Sequence, residues 1–238
     1  MEWKKIQIVE PNFKIITPIE WIKEYPSIIE RCGRTCYQSF DFKSPNSEKQ
    51  FTEKIVKSGH LSVIEHLNIT VSIIGDRSMS HQLVRHRLAS YSQESQRYVN
   101  YQKKGYKIIC PESIGITKSN IDEIKKYESK LIDREQYKQF IWLKNINESL
   151  NTYETLLKNE VKKEDARTVL PNAMKTEVVT TFNLRTWMHV FNERALNKHA
   201  QNQIKKIMQN ILIDFNKLIP EVFNEQYEKL QEILKDEK

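Results

Sequence analysis

Glycine is scarce in this 238-residue chain. There are five, Gly33, Gly59, Gly75, Gly105 and Gly115, and no two stand closer than ten residues. A Walker loop and a dinucleotide fingerprint both need clustered glycines so that backbone N–H groups can approach a phosphate. Neither exists here, so any bound nucleotide or dinucleotide has to be held by side chains. Cysteine is equally sparse: Cys32, Cys36 and Cys110 are odd in number and form no Cys-x-x-Cys pair. They read as reduced thiols rather than a disulfide framework. Metal-ligand spacing is missing as well. There is no His-Glu-x-x-His, His81 and His86 are five apart and share no helix face, and Glu65 and His66 point in different directions. No metal site is expected. No apolar run approaches the roughly eighteen residues of a membrane span, and the start, Met-Glu-Trp-Lys-Lys, lacks a secretory apolar segment. A cytoplasmic protein without a membrane partner is expected.

What the chain does have is positive charge, with a formal net charge of +7. That favours anionic partners, among them nucleic acid, nucleotides and folates. The charge is most concentrated in Arg85-His86-Arg87, followed by a short polar stretch that ends in Ser95 and Arg97. Guanidinium forks match phosphate oxygens in pairs, and each charge-assisted bond is worth roughly 1.5–3 kcal/mol. The bland alternative is a solvated basic surface. Ser95 has no local base, so its hydroxyl reads as a hydrogen-bond donor to phosphate rather than a nucleophile. None of the three cysteines has a neighbour that would activate it.

Periodicity predicts an α+β, helix-rich single domain, residues 1–238. Short strands are expected over 6–9 and 13–17, and helices over 21–32, where Pro26 can kink the chain, and 46–58, with Gly59 as the residue that ends it. The alternation of Leu67, Ile69, Val71 and Ile73 predicts a strand. A helix is then expected from Gly75-Asp76 to about Arg87, burying Met79 and Leu83 and placing Gln82, Arg85 and His86 on one polar face. Residues 88–100 read as a loop leading into an extended segment, 101–120 as a polar connection, and 120–159 as a solvated helical pair carrying little chemistry. A short helix before Pro171, a strand over 176–182 and three apolar-striped helices from Leu184 onward complete the chain. His66 reads as packed and hydrogen-bonded at the start of its strand; His60, in a loop, is the better functional candidate.

Three separated segments carry a more specific signal. They are His60-x-Ser62-x-x-Glu65-His66, then Arg85-His86-Arg87 with Ser95 after seven intervening residues, then Ala166-Arg167-Thr168-Val169-Leu170-Pro171 with Asn183, Arg194 and His199-Ala200-Gln201 downstream. In that order they resemble the flavin-dependent thymidylate synthases. The resemblance implies the thymidylate synthase-complementing protein fold, with helices around a central antiparallel sheet, and a homotetramer with active sites between subunits. It implies FAD as cofactor, NADPH as reductant, 5,10-methylenetetrahydrofolate as one-carbon donor, and methylation of dUMP to dTMP without a protein nucleophile. By position, His60, Ser62, Arg85, His86, Arg87, Asn183 and His189 would meet the flavin. Gln82, Arg85, Gln93, Glu94, Ser95, Arg97, Arg167 and Arg194 would hold dUMP, with Arg194 beside the uracil as the catalytic residue. One departure stands out: family members often carry Glu where this chain has Gln93, and the carboxylate lies next door at Glu94. The competing readings are a basic nucleic-acid-binding protein, although no helix-turn-helix, zinc-finger or RNA-recognition pattern is present, and a flavin reductase of other function.

Overall fold

A computed structural model describes residues 2–127 and 133–236. In chain order the elements are β1 (Ile6–Ile8), β2 (Asn12–Ile15), α1 (Ile19–Lys23), α2 (Tyr25–Tyr37), α3 (Glu48–Lys57), β3 (Asn68–Asp76), α4 (Arg77–Leu83), β4 (Ser90–Gln93), α5 (Tyr101–Lys104), β5 (Tyr106–Ile108), α6 (Ile121–Ile124), α7 (Arg134–Lys158), α8 (Lys163–Ala166), β6 (Lys175–Asn183), α9 (Leu184–Phe191), α10 (Asn202–Leu218) and α11 (Pro220–Asp236). The architecture is α+β and helix-rich. A four-stranded antiparallel sheet has the order β2-β3-β6-β4, and β1 pairs in parallel with β5, Ile6 opposite Tyr106. No helix among the described residues is long and apolar enough to cross a membrane.

The chain divides into two compact units, each assembled from three segments. The first comprises Met1–Asn12, Ile74–His81 and Gln93–Val178; the second comprises Phe13–Ile73, Gln82–Ser92 and Val179–Lys238. The core of the first unit is built on α7, whose Leu143, Ile146, Leu150 and Tyr153 are buried with Ile6, Ile8, Tyr106 and Ile108. A capping box starts α7: the Asp133 side chain accepts from the Gln136 N–H, and the Gln136 side chain answers at the Asp133 backbone. This corrects the expected solvated pair over 120–159. The lysine- and glutamate-rich face hides a buried stripe every three to four residues; residues 128–132 of that stretch lie outside the described residues. The polar connection over 101–120 also holds a strand, β5, three residues long and too short for alternation to reveal.

The core of the second unit is aromatic. Trp187, Phe182, Phe191, Phe215 and Phe223 are fully buried, with ring centroids 4.7 to 5.6 Å apart in mostly edge-on pairs. The Trp187 indole N–H donates to the Ile69 carbonyl at 3.0 Å, tying α9 to β3. The helix expected over 21–32 divides at Glu24, because Pro26 stands in the first turn of α2, where a missing N–H costs nothing. Gly33 lets α3 pack close: a Cβ there would lie 2.6 Å from the Phe51 ring. Gly59, at φ +75, ends α3 as its position suggests.

Candidate active site

The helix carrying the Arg-His-Arg run is shorter than its sequence predicts. Gly75 and Asp76 are the last residues of β3, and the Asp76 carboxylate caps α4 by accepting from the Met79 N–H at 2.6 Å. Met79 and Leu83 are buried as expected, but α4 stops at Leu83. Gln82, Arg85 and His86 therefore do not form a helical row. Beyond Leu83 the Tyr91 hydroxyl stands 2.9 Å from the Leu83 carbonyl and 2.7 Å from the His86 carbonyl. Its single proton serves whichever helix-end acceptor it meets, and this supports the turn. The turn sends His86 inward, 6% exposed, and leaves Arg85 and Arg87 in solvent.

Arg194 meets that buried imidazole. α9 continues into a single π turn, Asn192–Leu196, which carries Arg194. Such widened turns are rare and concentrate at functional sites. The turn holds a carbonyl off the regular ladder, and the buried Gln209 amide donates to that Ala195 oxygen at 3.2 Å. The Arg194 Nε–H donates to His86 Nε2 at 3.0 Å, and Nη1 to Gln82 Oε1 at 3.4 Å. Gln82 in turn donates to Gln201 Oε1 at 3.2 Å. A guanidinium only donates, so His86 Nε2 presents its lone pair and the neutral ring keeps its proton on Nδ1. Burial, then the Arg194 charge, then His189, push the His86 pKa down to about 4, against a smaller opposing effect of Glu193. The His189 ring stands edge-on, its centroid 5.7 Å from that of His86.

The other sequence candidates of the second unit are Arg85, Arg87, His60, Ser62 and Asn183. Arg85 and Arg87 have no ion-pair partner among the described residues, which leaves both guanidinium groups available to an anion. Exposed His60 precedes the 3-10 turn Leu61–His66, which carries exposed Ser62. Glu65 pairs with Arg185. His66 is exposed at the end of that turn rather than packed at the start of the strand, because β3 begins two residues later. Asn183 caps α9, its side-chain oxygen accepting from the Thr186 N–H at 2.8 Å, and this explains that residue without a ligand.

Within the first unit, Gln93 points its amide at Ser80 Oγ (2.9 Å) and Thr176 Oγ1 (3.2 Å). Glu94 is committed to Lys175 at 2.7 Å and accepts from the Tyr101 hydroxyl at 3.4 Å. The neutral amide thus stands among hydroxyls, and the adjacent carboxylate is already neutralised. Ser95, Arg97 and Arg167 come together. The Arg97 backbone N–H donates to Ser95 Oγ at 3.3 Å, Arg97 Nη2 pairs with Glu164 Oε2 at 2.8 Å, and Arg167 Nε donates to the Glu164 carbonyl at 3.1 Å.

Sequence reasoning missed Glu164, Tyr91 and the π turn. Glu164 precedes Arg167 by three residues on one short helical stretch, a spacing that could have flagged it. Tyr91 sits inside the polar run, but its reach back to Leu83 needs the turn to be known first. Nothing local marks the π turn.

The family described as thymidylate synthase complementing protein matches residues 19–221. The chain is 36% identical over 203 residues to the flavin-dependent thymidylate synthase of Pyrococcus furiosus, covering 84% of this chain and 75% of that protein. It is 30% identical over 229 residues to the flavin-dependent thymidylate synthase of Mycobacteroides abscessus, covering 93% and 89%. Among solved structures it is similar, at TM-score 0.69 and 18% identity over 92% of this chain and 95% of the other, to a UMP/dUMP methylase, PolB, from Streptomyces cacaoi bound with 5-Br UMP, a likeness of fold.

Proposed function

The chain belongs to the thymidylate synthase complementing protein family, whose matching members are flavin-dependent enzymes, and from that premise we propose that it is an FAD-dependent thymidylate synthase that methylates dUMP to dTMP. In this reading 5,10-methylenetetrahydrofolate supplies the one-carbon unit, NADPH is the reductant, and residues 1–238 act as one catalytic domain in a homotetramer. Active sites then lie between subunits, so clusters from different copies of the chain complete one site.

The observation that carries the proposal is Arg194 held by two neutral acceptors, His86 Nε2 and Gln82 Oε1. Neither partner cancels its charge, so the guanidinium is oriented and remains a full cation. Set beside uracil N3 and O2 at ~4 Å, such a charge favours the ionised base by up to about 4 kcal/mol at an effective dielectric near 20. The residues present also fit FAD. A chain without clustered glycines has to grip a pyrophosphate with side chains, and Arg85 and Arg87 are exposed cations without an acidic partner among the described residues. His60, Ser62, His86, Asn183 and His189 complete the set assigned to the flavin. FAD, when bound, supplies the hydride chemistry that no side chain can. Gln82, Arg85, Gln93, Glu94, Ser95, Arg97 and Arg167 are assigned to dUMP, with Ser95, Arg97 and Arg167 nearest its phosphate. No thiol has to attack the base: burial pushes the Cys110 thiol up, away from the reactive thiolate, and Cys36 is an exposed thiol directed at the Cys32 carbonyl.

The test is the visible spectrum of the purified protein, followed by NADPH and dUMP without oxygen and then methylenetetrahydrofolate. A flavin band that bleaches, with dTMP recovered, is expected. A protein that neither carries nor takes up FAD overturns the proposal. A flavin that bleaches and yields no dTMP makes the protein a reductase of other function.

A further inference from the structure

Two of the arginines assigned to the substrate phosphate, Arg97 and Arg167, lean on one residue, and they use different parts of it. Arg97 Nη2 takes the Glu164 carboxylate at 2.8 Å, whereas Arg167 Nε takes the Glu164 carbonyl at 3.1 Å. The carbonyl contact is ordinary helix-end chemistry and survives any change of side chain. The carboxylate contact is different. It places an anion on the Arg97 guanidinium, beside Ser95, whose oxygen already accepts from the Arg97 backbone N–H. The pair is open to solvent, with side chains 50% and 42% exposed. Such a pair is weak and easily exchanged. The Arg97 guanidinium also lies 5.6 Å from the centre of the exposed Tyr98 ring, a face it can keep while changing its anionic partner.

We propose that Glu164 is a positioning residue that acts through Arg97: its carboxylate occupies the guanidinium in the ligand-free protein and is displaced by the phosphoryl group of the substrate. This rests on the function proposed above. It follows that Glu164 sets how strongly a phosphate is preferred. A phosphate dianion outbids a single exposed carboxylate because it offers more acceptor oxygens and more charge to the same fork. The internal anion has to leave before a phosphate can take the fork, so it tempers affinity for the nucleotide and leaves a nucleoside, which brings no group to Arg97, untouched.

Glu164→Gln tests this, since it keeps the shape and the main-chain contact to Arg167 and removes only the charge. Binding of dUMP, of deoxyuridine and of inorganic phosphate to the FAD-loaded protein is measured by calorimetry at low and high salt, with KM and kcat for dUMP alongside. At low salt the variant is expected to bind dUMP and inorganic phosphate about three- to fivefold more tightly, within the reach of an exposed ion pair. Deoxyuridine should be unmoved, the kinetic change should fall on KM, and high salt, which screens the wild-type pair, should narrow the gap. Weaker phosphate binding in the variant overturns the proposal, because the carboxylate would then be holding Arg97 in its working position. An equal change for dUMP and deoxyuridine also overturns it. If wild-type protein takes up no dUMP, the proposed function fails. The inorganic phosphate arm then still decides the role of Glu164, a tighter variant supporting it and an unchanged one refuting it.

Discussion

Two regions of the molecule hold arginines by opposite means. In the second unit Arg194 is gripped by an imidazole nitrogen and an amide oxygen, both neutral. In the first unit Arg97 is paired with the carboxylate of Glu164. The first arrangement fixes a direction and leaves the charge intact. The second neutralises the charge until something better arrives. A site that polarises a base needs the first kind, because a compensated cation does little work on a developing anion. A site that recognises a phosphate can use the second kind, because an exposed ion pair is weak enough for a better anion to replace. The contrast also explains why His86 is buried: an imidazole in solvent would protonate near its ordinary value and could no longer accept from a guanidinium.

The largest expected effect comes from breaking the neutral grip on its cationic side. Arg194→Ala should lower kcat by about 10²–10³, the usual scale for removing one preorganised charge-stabilising donor. Bound FAD should stay, since other residues are assigned to it. Turnover and the flavin spectrum of the same preparation check both halves. Near-normal turnover in a folded, flavin-bearing variant would remove Arg194 from the chemistry and dissolve the contrast between the two regions.

A smaller and pH-dependent effect follows from His86. Its folded value, about 4, lies below the roughly 6.5 of an exposed imidazole. Between those two values the unfolded chain binds a proton that the folded chain does not. Stability therefore rises with pH across that window: it is fully present above about 6.5 and is lost progressively as pH falls toward 4. The loss should reach about 2 kcal/mol, a discounted conversion of that depression. Urea midpoints of wild type and His86→Gln from pH 7 to pH 4 measure it; the variant, whose amide oxygen can still accept from Arg194, should lose this part of the slope. An NMR titration placing His86 near 6.5 would refute the neutral grip.

These two regions were not equally legible in the sequence. The residues themselves could be picked out, since Arg85 to Arg97 announces itself as a run and Arg167 and Arg194 stand in recognisable company. Strand β3 and the aromatic helices α9, α10 and α11 also followed from apolar spacing, because long elements with one buried face have to show it. What spacing could not give is how a segment ends. The helical pattern of residues 75–87 runs on past Leu83, yet the helix ends there, where the Tyr91 hydroxyl meets the Leu83 carbonyl. The π turn is a local widening with no compositional mark. The stripe inside α7 was obscured because the polar Asn147 is one of its buried positions and polar residues such as Glu148 and Thr152 stand between the apolar ones. Partners such as Glu164 are hard to read for a related reason. An acidic residue on a solvated helix is common, and only its distance to Arg97 distinguishes it.

The smallest expected effect comes from residues that belong to neither arginine's setting and tests what the two settings have in common, a chemistry run by charge and orientation rather than by a covalent bond to the protein. All three cysteines are free thiols. Cys110 is half-buried, its sulfur 3.4 Å from the Ile116 N–H, and burial raises its pKa. Cys32 and Cys36 lie a turn apart on α2. A variant with all three changed to serine keeps a hydrogen-bonding oxygen at each position. It should retain turnover within about twofold, with a stability cost of about 1 kcal/mol at Cys110, where a buried sulfur becomes a more strongly solvated hydroxyl. Turnover and thermal melts on one preparation separate the two. Complete loss of dTMP formation in a folded, flavin-bearing triple variant would mean that a thiolate attacks the base. Arg194 would then be assisting a nucleophile rather than acting as the principal polarising charge.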